Sequence, residues 1–173
     1  MSIKLSLIVG AAVLVLMGAG IASAQEFAAQ HSVGVTAGAA NFDLSGTGTT
    51  LGIGVRAVRA LTPHVAIETG VLFARPDLQG GRATLVLPEA HLQYHWRFGN
   101  VAPYAGGGLG FARQSREGSA SATNLALSAA GGARAYVSER VAVLGEFRLR
   151  GIERDFSGTI AELTGGISFT LGR

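Results

Sequence analysis

The stretch Val101-Ala-Pro103-Tyr104-Ala-Gly-Gly-Gly-Leu-Gly-Phe111-Ala-Arg113 decides the fold, together with the two segments C-terminal to it. After a polar loop the chain resumes as Asn124-Leu-Ala-Leu-Ser-Ala-Ala-Gly-Gly-Ala-Arg134-Ala-Tyr136. It turns at Val137-Ser-Glu-Arg140 and continues as Val141-Ala-Val-Leu-Gly-Glu146-Phe-Arg148-Leu-Arg150. Each piece alternates apolar with small or polar residues at period two. A strand that crosses a bilayer at a tilt needs about 9–11 residues, and these pieces reach that length.

The same alternation extends outward over the chain. Eight strand-like segments are expected at 32–42, 49–60, 65–75, 83–98, 103–114, 122–136, 141–153 and 159–171. Short turns at Leu61–His64, Gly99–Ala102 and Val137–Arg140 alternate with looser polar loops at Asp43–Gly48, Pro76–Gly81, Ser115–Ser121 and Arg154–Gly158. Proline, asparagine, serine and glycine supply the turn chemistry. The turns recur at about 38 residues, and Leu61-Thr62-Pro-His-Val65-Ala66-Ile67 aligns with Val137-Ser138-Glu-Arg-Val141-Ala142-Val143. A fixed period of this kind marks a repeated supersecondary unit, here a β-hairpin.

The first residues have a different role. Lys4, the apolar run Leu5–Met17 and the small-residue site Ala22-Ser23-Ala24 form a secretory signal peptide, so residues 1–24 are read as cleaved and 25–173 as one domain. The chain has no cysteine, which excludes a disulfide framework and thiolate metal sites. Lys4 is the only lysine, and the arginines form no basic block, so nucleic-acid binding is not expected.

The two faces of each strand differ. Leu92, Tyr94, Trp96 and Phe98 oppose Glu89, His91, Gln93, His95 and Arg97; Val141, Val143, Phe147 and Leu149 oppose Glu146, Arg148 and Arg150. A soluble lipocalin-like barrel would turn the apolar set inward, and a membrane barrel turns it outward to lipid. Two features favour the second. The polar parity mixes long charged residues with Gly52, Gly54, Gly106, Gly108, Gly110 and Gly132, which a narrow eight-stranded interior requires. Aromatic residues Tyr94, Trp96, Phe98, Tyr104 and Tyr136 lie near short turns, as in an interfacial girdle.

On these residues the chain resembles the outer membrane β-barrel family of Gram-negative bacteria, the OmpA- and OmpX-like eight-stranded barrels. The resemblance rests on Val101–Ala112, Ala133–Val143, Gly145–Arg148 and Gly165–Leu171. It implies an all-β, eight-stranded antiparallel up-and-down transmembrane barrel in the bacterial outer membrane. It also implies short turns in the periplasm, loops outside, insertion by the outer membrane assembly machinery and a monomer. Barrels of this kind end on an aromatic residue; this chain ends Phe169-Thr-Leu-Gly-Arg173.

Candidate chemistry falls into three groups. A lumen charge network is expected from Arg56, Glu68, Glu89, Arg97, Arg134, Glu146, Arg148, Arg150 and Glu162, as a plug of paired charges or as a narrow ion path. Contacts with lipopolysaccharide phosphates are expected from Arg75, Arg82, Arg113, Arg116 and Arg154. A lipid-modifying enzyme would need a serine, a histidine and a carboxylate together. His31-Ser32, Ser168 and Glu162 are the available set, and no motif joins them, so no catalytic residues are assigned. His91 and His95 share a face, but at ~3.3 Å per residue they lie about 13 Å apart, too far to share one metal ion. Gly106–Gly110 leads into a strand rather than a helix and is no phosphate loop. No cofactor is expected. The expected role is structural, in envelope integrity, with surface or lipopolysaccharide contact. A small non-specific pore, a lipid A-modifying enzyme and a soluble binding barrel are the alternatives.

Overall fold

The computed structural model describes residues 31–42, 48–78, 81–116, 120–152 and 158–171. The segment expected as a signal peptide, residues 1–24, lies outside the described residues. Nine strands occur among them: β1 His31–Phe42, β2 Thr49–Ala60, β3 Val65–Ala74, β4 Asp77–Leu78, β5 Gly81–His95, β6 Val101–Arg116, β7 Ala122–Tyr136, β8 Val141–Ile152 and β9 Gly158–Leu171. The two-residue β4 pairs only with the start of β5, so the wall has eight staves. Sequential neighbours pair antiparallel, β1 pairs with β9, and β3 pairs with β5 from Val65↔Tyr94 to Ala74↔Leu85. The sheet is a closed eight-stranded antiparallel barrel with no open edge for another chain to join.

The alternation read from the sequence sets the faces. Leu51, Ile53 and Val55 on β2, Leu109 and Phe111 on β6, Leu125 and Leu127 on β7, and Leu163, Ile167 and Phe169 on β9 all lie on the exposed parity. Glu68, His91, His95, Arg134, Glu146, Arg148, Arg150 and Glu162 lie on the buried parity of the barrel staves. A soluble barrel would have these faces reversed. Hydrocarbon surroundings explain the arrangement, because closure pairs the strand backbone groups within the wall and the apolar side chains meet lipid.

The two turns aligned in sequence are the same in structure. The amides of Leu61 and Thr62 both donate to the Val65 carbonyl, at 2.8 and 3.1 Å, and those of Val137 and Ser138 donate to the Val141 carbonyl at 3.0 and 3.2 Å. Thr62 Oγ1 accepts from the amides of His64 and Val65, and Ser138 Oγ accepts from those of Arg140 and Val141. A hydroxyl at this position satisfies two turn amides at once. The third short turn is tighter: Phe98 and Val101 exchange both backbone hydrogen bonds around Gly99-Asn100, and Gly99 has φ of 60°. Only glycine adopts that angle without strain. Here β5 ends at His95, three residues short of the expected 98, because Trp96 faces Pro103. Pro103 accepts the Trp96 amide but has no N–H to return. Pro88 likewise leaves a gap in the β5–β6 ladder between Val86↔Arg113 and Glu89↔Gly110.

Glycine appears on both faces for different reasons. On β6, Gly106, Gly108 and Gly110 face inward directly opposite Gln93, His91 and Glu89. A Cβ on Gly108 would sit 2.4 Å from the His91 ring, and one on Gly110 would sit 2.6 Å from the Glu89 Cβ. The long side chains of β5 therefore lie across the bare backbone of β6. On the outer face, Gly107, Gly131, Gly145 and Gly165 leave room: a Cβ there meets nothing closer than 3.6 Å.

Candidate lumen site

The barrel interior is the candidate site. Glu68 on β3 receives Arg148 Nη2 at 2.7 Å, Arg56 Nη1 at 3.2 Å and Arg134 Nη2 at 3.4 Å. Glu146 on β8 receives Arg56 Nη1 at 3.0 Å, Arg148 Nη2 at 2.9 Å and the Tyr104 hydroxyl at 2.7 Å. Glu89 on β5 pairs with Arg148 and Arg150, and Glu162 on β9 pairs with Arg150. Many of these contacts cross the lumen between staves that are not neighbours in the wall: β2 to β8, β3 to β7 and β8, β5 to β8. The alternation turns every one of these groups inward, and the narrow interior brings both signs together. Buried charges of this kind persist only when paired and hydrogen-bonded.

Arg97 shares the inward parity at the short-turn mouth, where it is half-buried. His91 and His95 are both buried, but each has its own partners. The ring of His91 meets Ser128 Oγ at 2.7 Å, whereas His95 stacks on Tyr104 with ring centroids 5.3 Å apart and meets Gln93 Oε1 at 3.2 Å. Among the described residues no group of histidines and carboxylates has the form of a metal site.

Two of the five girdle residues belong inside. Tyr104 is 2% exposed, donates to Glu146 and has the Arg134 guanidinium 5.3 Å from its ring centroid. Tyr136 is half-buried on the inward parity of Arg134. The error is one of parity: Tyr104 alternates in step with Gly106, Gly108 and Gly110, the inward glycines, and nearness to a turn says nothing about which face a residue takes. Tyr94, Trp96 and Phe98 are exposed at the short-turn rim. Tyr94 packs edge-on against Trp96 at 5.1 Å and stacks on His64 at 5.7 Å.

Two features escape a reading by charge. The first is the set Ser128, His91 and Glu89. Ser128 Oγ donates to Glu89 Oε2 at 3.0 Å and meets His91 Nε2 at 2.7 Å. It is not a nucleophilic triad, because serine and glutamate approach the same ring nitrogen and His91 Nδ1 has no hydrogen-bond partner. The second is an apolar layer. The sequence suggests a lumen that is polar throughout, yet toward the loop end Phe42, Leu72, Leu85, Leu87 and Ile160 pack together inside it with Ala40, Ala74 and Ala112. Leu85 and Leu87 have the same parity as Glu89, which is the signal that could have revealed the layer. Among the ion pairs, where they meet Leu72 of this layer, a void of about 20 Å³ remains, bordered by Arg56, Glu68, Arg148 and Glu162 as well as Thr36 and Thr164.

The residues weighed for catalysis are kept apart. His31 is exposed on the outer parity, while Ser168 is buried inside with its Oγ on the Ala142 carbonyl at 3.5 Å. Glu162 is engaged by Arg150. The wall separates the histidine from the other two. Of the arginines near the loops, Arg75, Arg82 and Arg113 are exposed at the loop end of β3, β5 and β6, and Arg82 lies 3.3 Å from Asp77. The side chain of Arg116 and the whole of Arg154 lie outside the described residues.

Residues 9–169 match the outer membrane protein beta-barrel domain. The chain belongs to that family. As a member of the outer membrane β-barrel family it resides in the bacterial outer membrane, with its apolar outer face in lipid. Solved barrels share its fold at low sequence identity. Neisserial surface protein A is 16% identical with a TM-score of 0.72, over 82% of this chain and 97% of that one. The N-terminal barrel domain of Pseudomonas aeruginosa OprF is 16% identical with a TM-score of 0.57, over 83% and 99%. Ail, the attachment invasion locus protein of Yersinia pestis, in complex with the heparin analogue sucrose octasulfate, is 13% identical with a TM-score of 0.54, over 83% and 97%. Among curated proteins none matches the chain in sequence.

Proposed function

We propose that this barrel is a non-conducting structural element of the outer membrane that contributes to envelope integrity and carries no catalytic activity. The observation behind this reading is the filled lumen: ion pairs cross it in the middle, the apolar layer occupies its loop end, and the void among the pairs beside Leu72 has room for about one water molecule. A pore needs a continuous wet path, and a lipid-modifying enzyme needs serine, histidine and carboxylate joined in relay, whereas the wall divides His31 from Ser168 and Glu162, and Ser128 and Glu89 meet His91 on one ring nitrogen. The purified barrel in planar bilayers is expected to show no conductance steps above background. Cells lacking it should admit detergents and large antibiotics more readily. Stepwise conductance would favour the pore, and unchanged permeability would remove the envelope role.

A second reading, contact with lipopolysaccharide, is favoured by the position of two arginines. On β3 the outward series runs Phe73 then Arg75, and on β6 it runs Phe111 then Arg113, so each arginine is the first polar residue above the lipid band. On β5 the distance from Thr84 to Trp96, at ~3.3 Å per residue and a tilt of ~40°, spans about 30 Å, close to the thickness of a bilayer core. With the loops outside, Arg75 and Arg113 meet the phosphates of the outer leaflet, where a guanidinium binds in bidentate fashion. Ail binds a polyanion on the same fold, which is consistent with this use. Changing both arginines to serine should weaken lipopolysaccharide retention by about 1 kcal/mol per residue, measured as lipid bound to the purified barrel across a salt series. Equal retention would refute the contact.

A further inference from the structure

Two barriers to ions lie in series inside this barrel, and they differ in kind. In the ion-pair network every glutamate but Glu162 faces more than one arginine: Glu68 faces Arg56, Arg134 and Arg148; Glu89 faces Arg148 and Arg150; Glu146 faces Arg56 and Arg148. A guanidinium can leave one carboxylate for the next without being stranded. A passing ion would find groups of both signs to replace its lost water. The apolar layer offers nothing of the kind. Phe42 on β1, Leu72 on β3, Leu85 and Leu87 on β5 and Ile160 on β9 close together, and Ile152 of β8 packs against them. On β2 the inward position is Gly52, and the Leu72 methyl fills it, 3.2 Å from where a Cβ would stand. An ion entering this layer would lose its hydration with no replacement, so the layer stays dry.

We propose that the apolar layer, and not the ion-pair network, is what closes the lumen, and that the network below it is a latent anion-preferring path. The preference rests on composition. Arg56, Arg97, Arg134, Arg148 and Arg150 stand against Glu68, Glu89, Glu146 and Glu162, leaving one positive charge in excess with the histidines neutral. Arginine-lined passages favour anions. The void of about 20 Å³ lies within the network, lined by Arg56, Glu68, Arg148 and Glu162 and capped by Leu72 of the layer, so water reaching the network would stop there.

The test compares two double variants of the full mature chain, refolded and reconstituted in planar bilayers under a potassium chloride gradient. Leu72→Ser with Leu87→Ser makes the layer wettable and leaves the network intact. Glu162→Gln with Arg150→Gln removes both ion pairs of Arg150, to Glu162 and to Glu89, leaves Glu89 paired with Arg148, and leaves the layer intact. Closure of each barrel is checked by its shift on a detergent gel upon boiling. The layer variant should conduct at least tenfold above wild type with a reversal potential favouring chloride, while the network variant stays at the wild-type level. A closed but silent layer variant, a cation-selective one, or conductance in the network variant alone would overturn the proposal. If the double serine variant fails to close, Leu87→Asn alone carries the same readouts. A conducting wild type would defeat the structural reading above. The tenfold comparison between layer and network variants would still decide where the barrier lies.

Discussion

Replacing Glu68 with alanine should cost the barrel about 3–5 kcal/mol, the range for breaking a buried ion pair. The carboxylate is shared by Arg56, Arg134 and Arg148, and it is 2% exposed. Its removal leaves guanidinium groups in a space with no bulk water. Arg56 and Arg148 keep Glu146 and so lose only part of their compensation. Arg134 has fewer alternatives: besides Glu68, its contacts are the Gln93 carbonyl at 3.5 Å and the Tyr104 ring. The measurement is the urea midpoint of the barrel in lipid vesicles. Changing Glu68 and Arg134 together should recover part of the loss, because the stranded charge leaves with its partner. A midpoint that does not move in the single variant would mean that water already solvates these arginines.

Replacing Gly108 with valine should prevent a stable barrel from closing, whereas Gly145→Ala should leave it unchanged or slightly more stable. The contrast isolates the inner face. A Cβ on Gly108 lies 2.4 Å from both the Ala90 carbonyl oxygen and the His91 ring, and backbone cannot move aside cheaply. Overpacking of this kind costs about 1–3 kcal/mol or more, and His91 has nowhere to go because Ser128 and Glu89 hold it. At Gly145 nothing lies within 4 Å. An alanine there gains about 0.4–1 kcal/mol by restricting the unfolded chain, provided the strand backbone suits it. The boiling shift on a detergent gel reads both outcomes. A Gly108→Val barrel with wild-type migration and urea resistance would show that the glycines of β6 are not required for packing.

Much of the fold is legible in the sequence because the physics is periodic. Strand ends fall within a few residues of those expected, and the departures have local causes: Pro103 shortens β5 at Trp96, and β6 begins at Val101 through the pairing across Gly99. The aligned turns at Thr62 and Ser138 are visible as a sequence repeat, and they repeat to the level of single hydrogen bonds. The interior is only partly legible. Parity tells which residues face in, but not how far along the axis each one sits, because that depends on the shear of the closed sheet. The meeting of Arg56 with Glu146 cannot be read from either strand alone. The apolar layer escapes the sequence for a related reason: Phe42, Leu72, Leu85 and Ile160 come from four staves and form a layer only once the staves are staggered. Tyr104 is misplaced when its nearness to a turn outweighs its parity.

The cross-lumen pairs also bear on the order of events during folding. Glu68 and Glu89 belong to the first four staves, and four of their five ion-pair contacts with arginine are to Arg134, Arg148 and Arg150 of the last four. Arg56 in turn reaches Glu146, 90 residues later. None of these contacts can form in a nascent hairpin. Loop closure over such separations is entropically costly and comes late. The hairpins must therefore form on local turn chemistry, at Thr62, Gly99 and Ser138, before these long-range charges meet, whereas Arg56–Glu68 and Arg150–Glu162 join neighbouring staves. The network then rewards the arrival of β7 opposite β3, and of β8 opposite β2, β3 and β5, in the correct stagger. A stave that paired one residue out of register would turn its own inward charges toward lipid. The charges thus act as a proofreading step at the end of assembly, distinguishing a finished barrel from one that has merely closed.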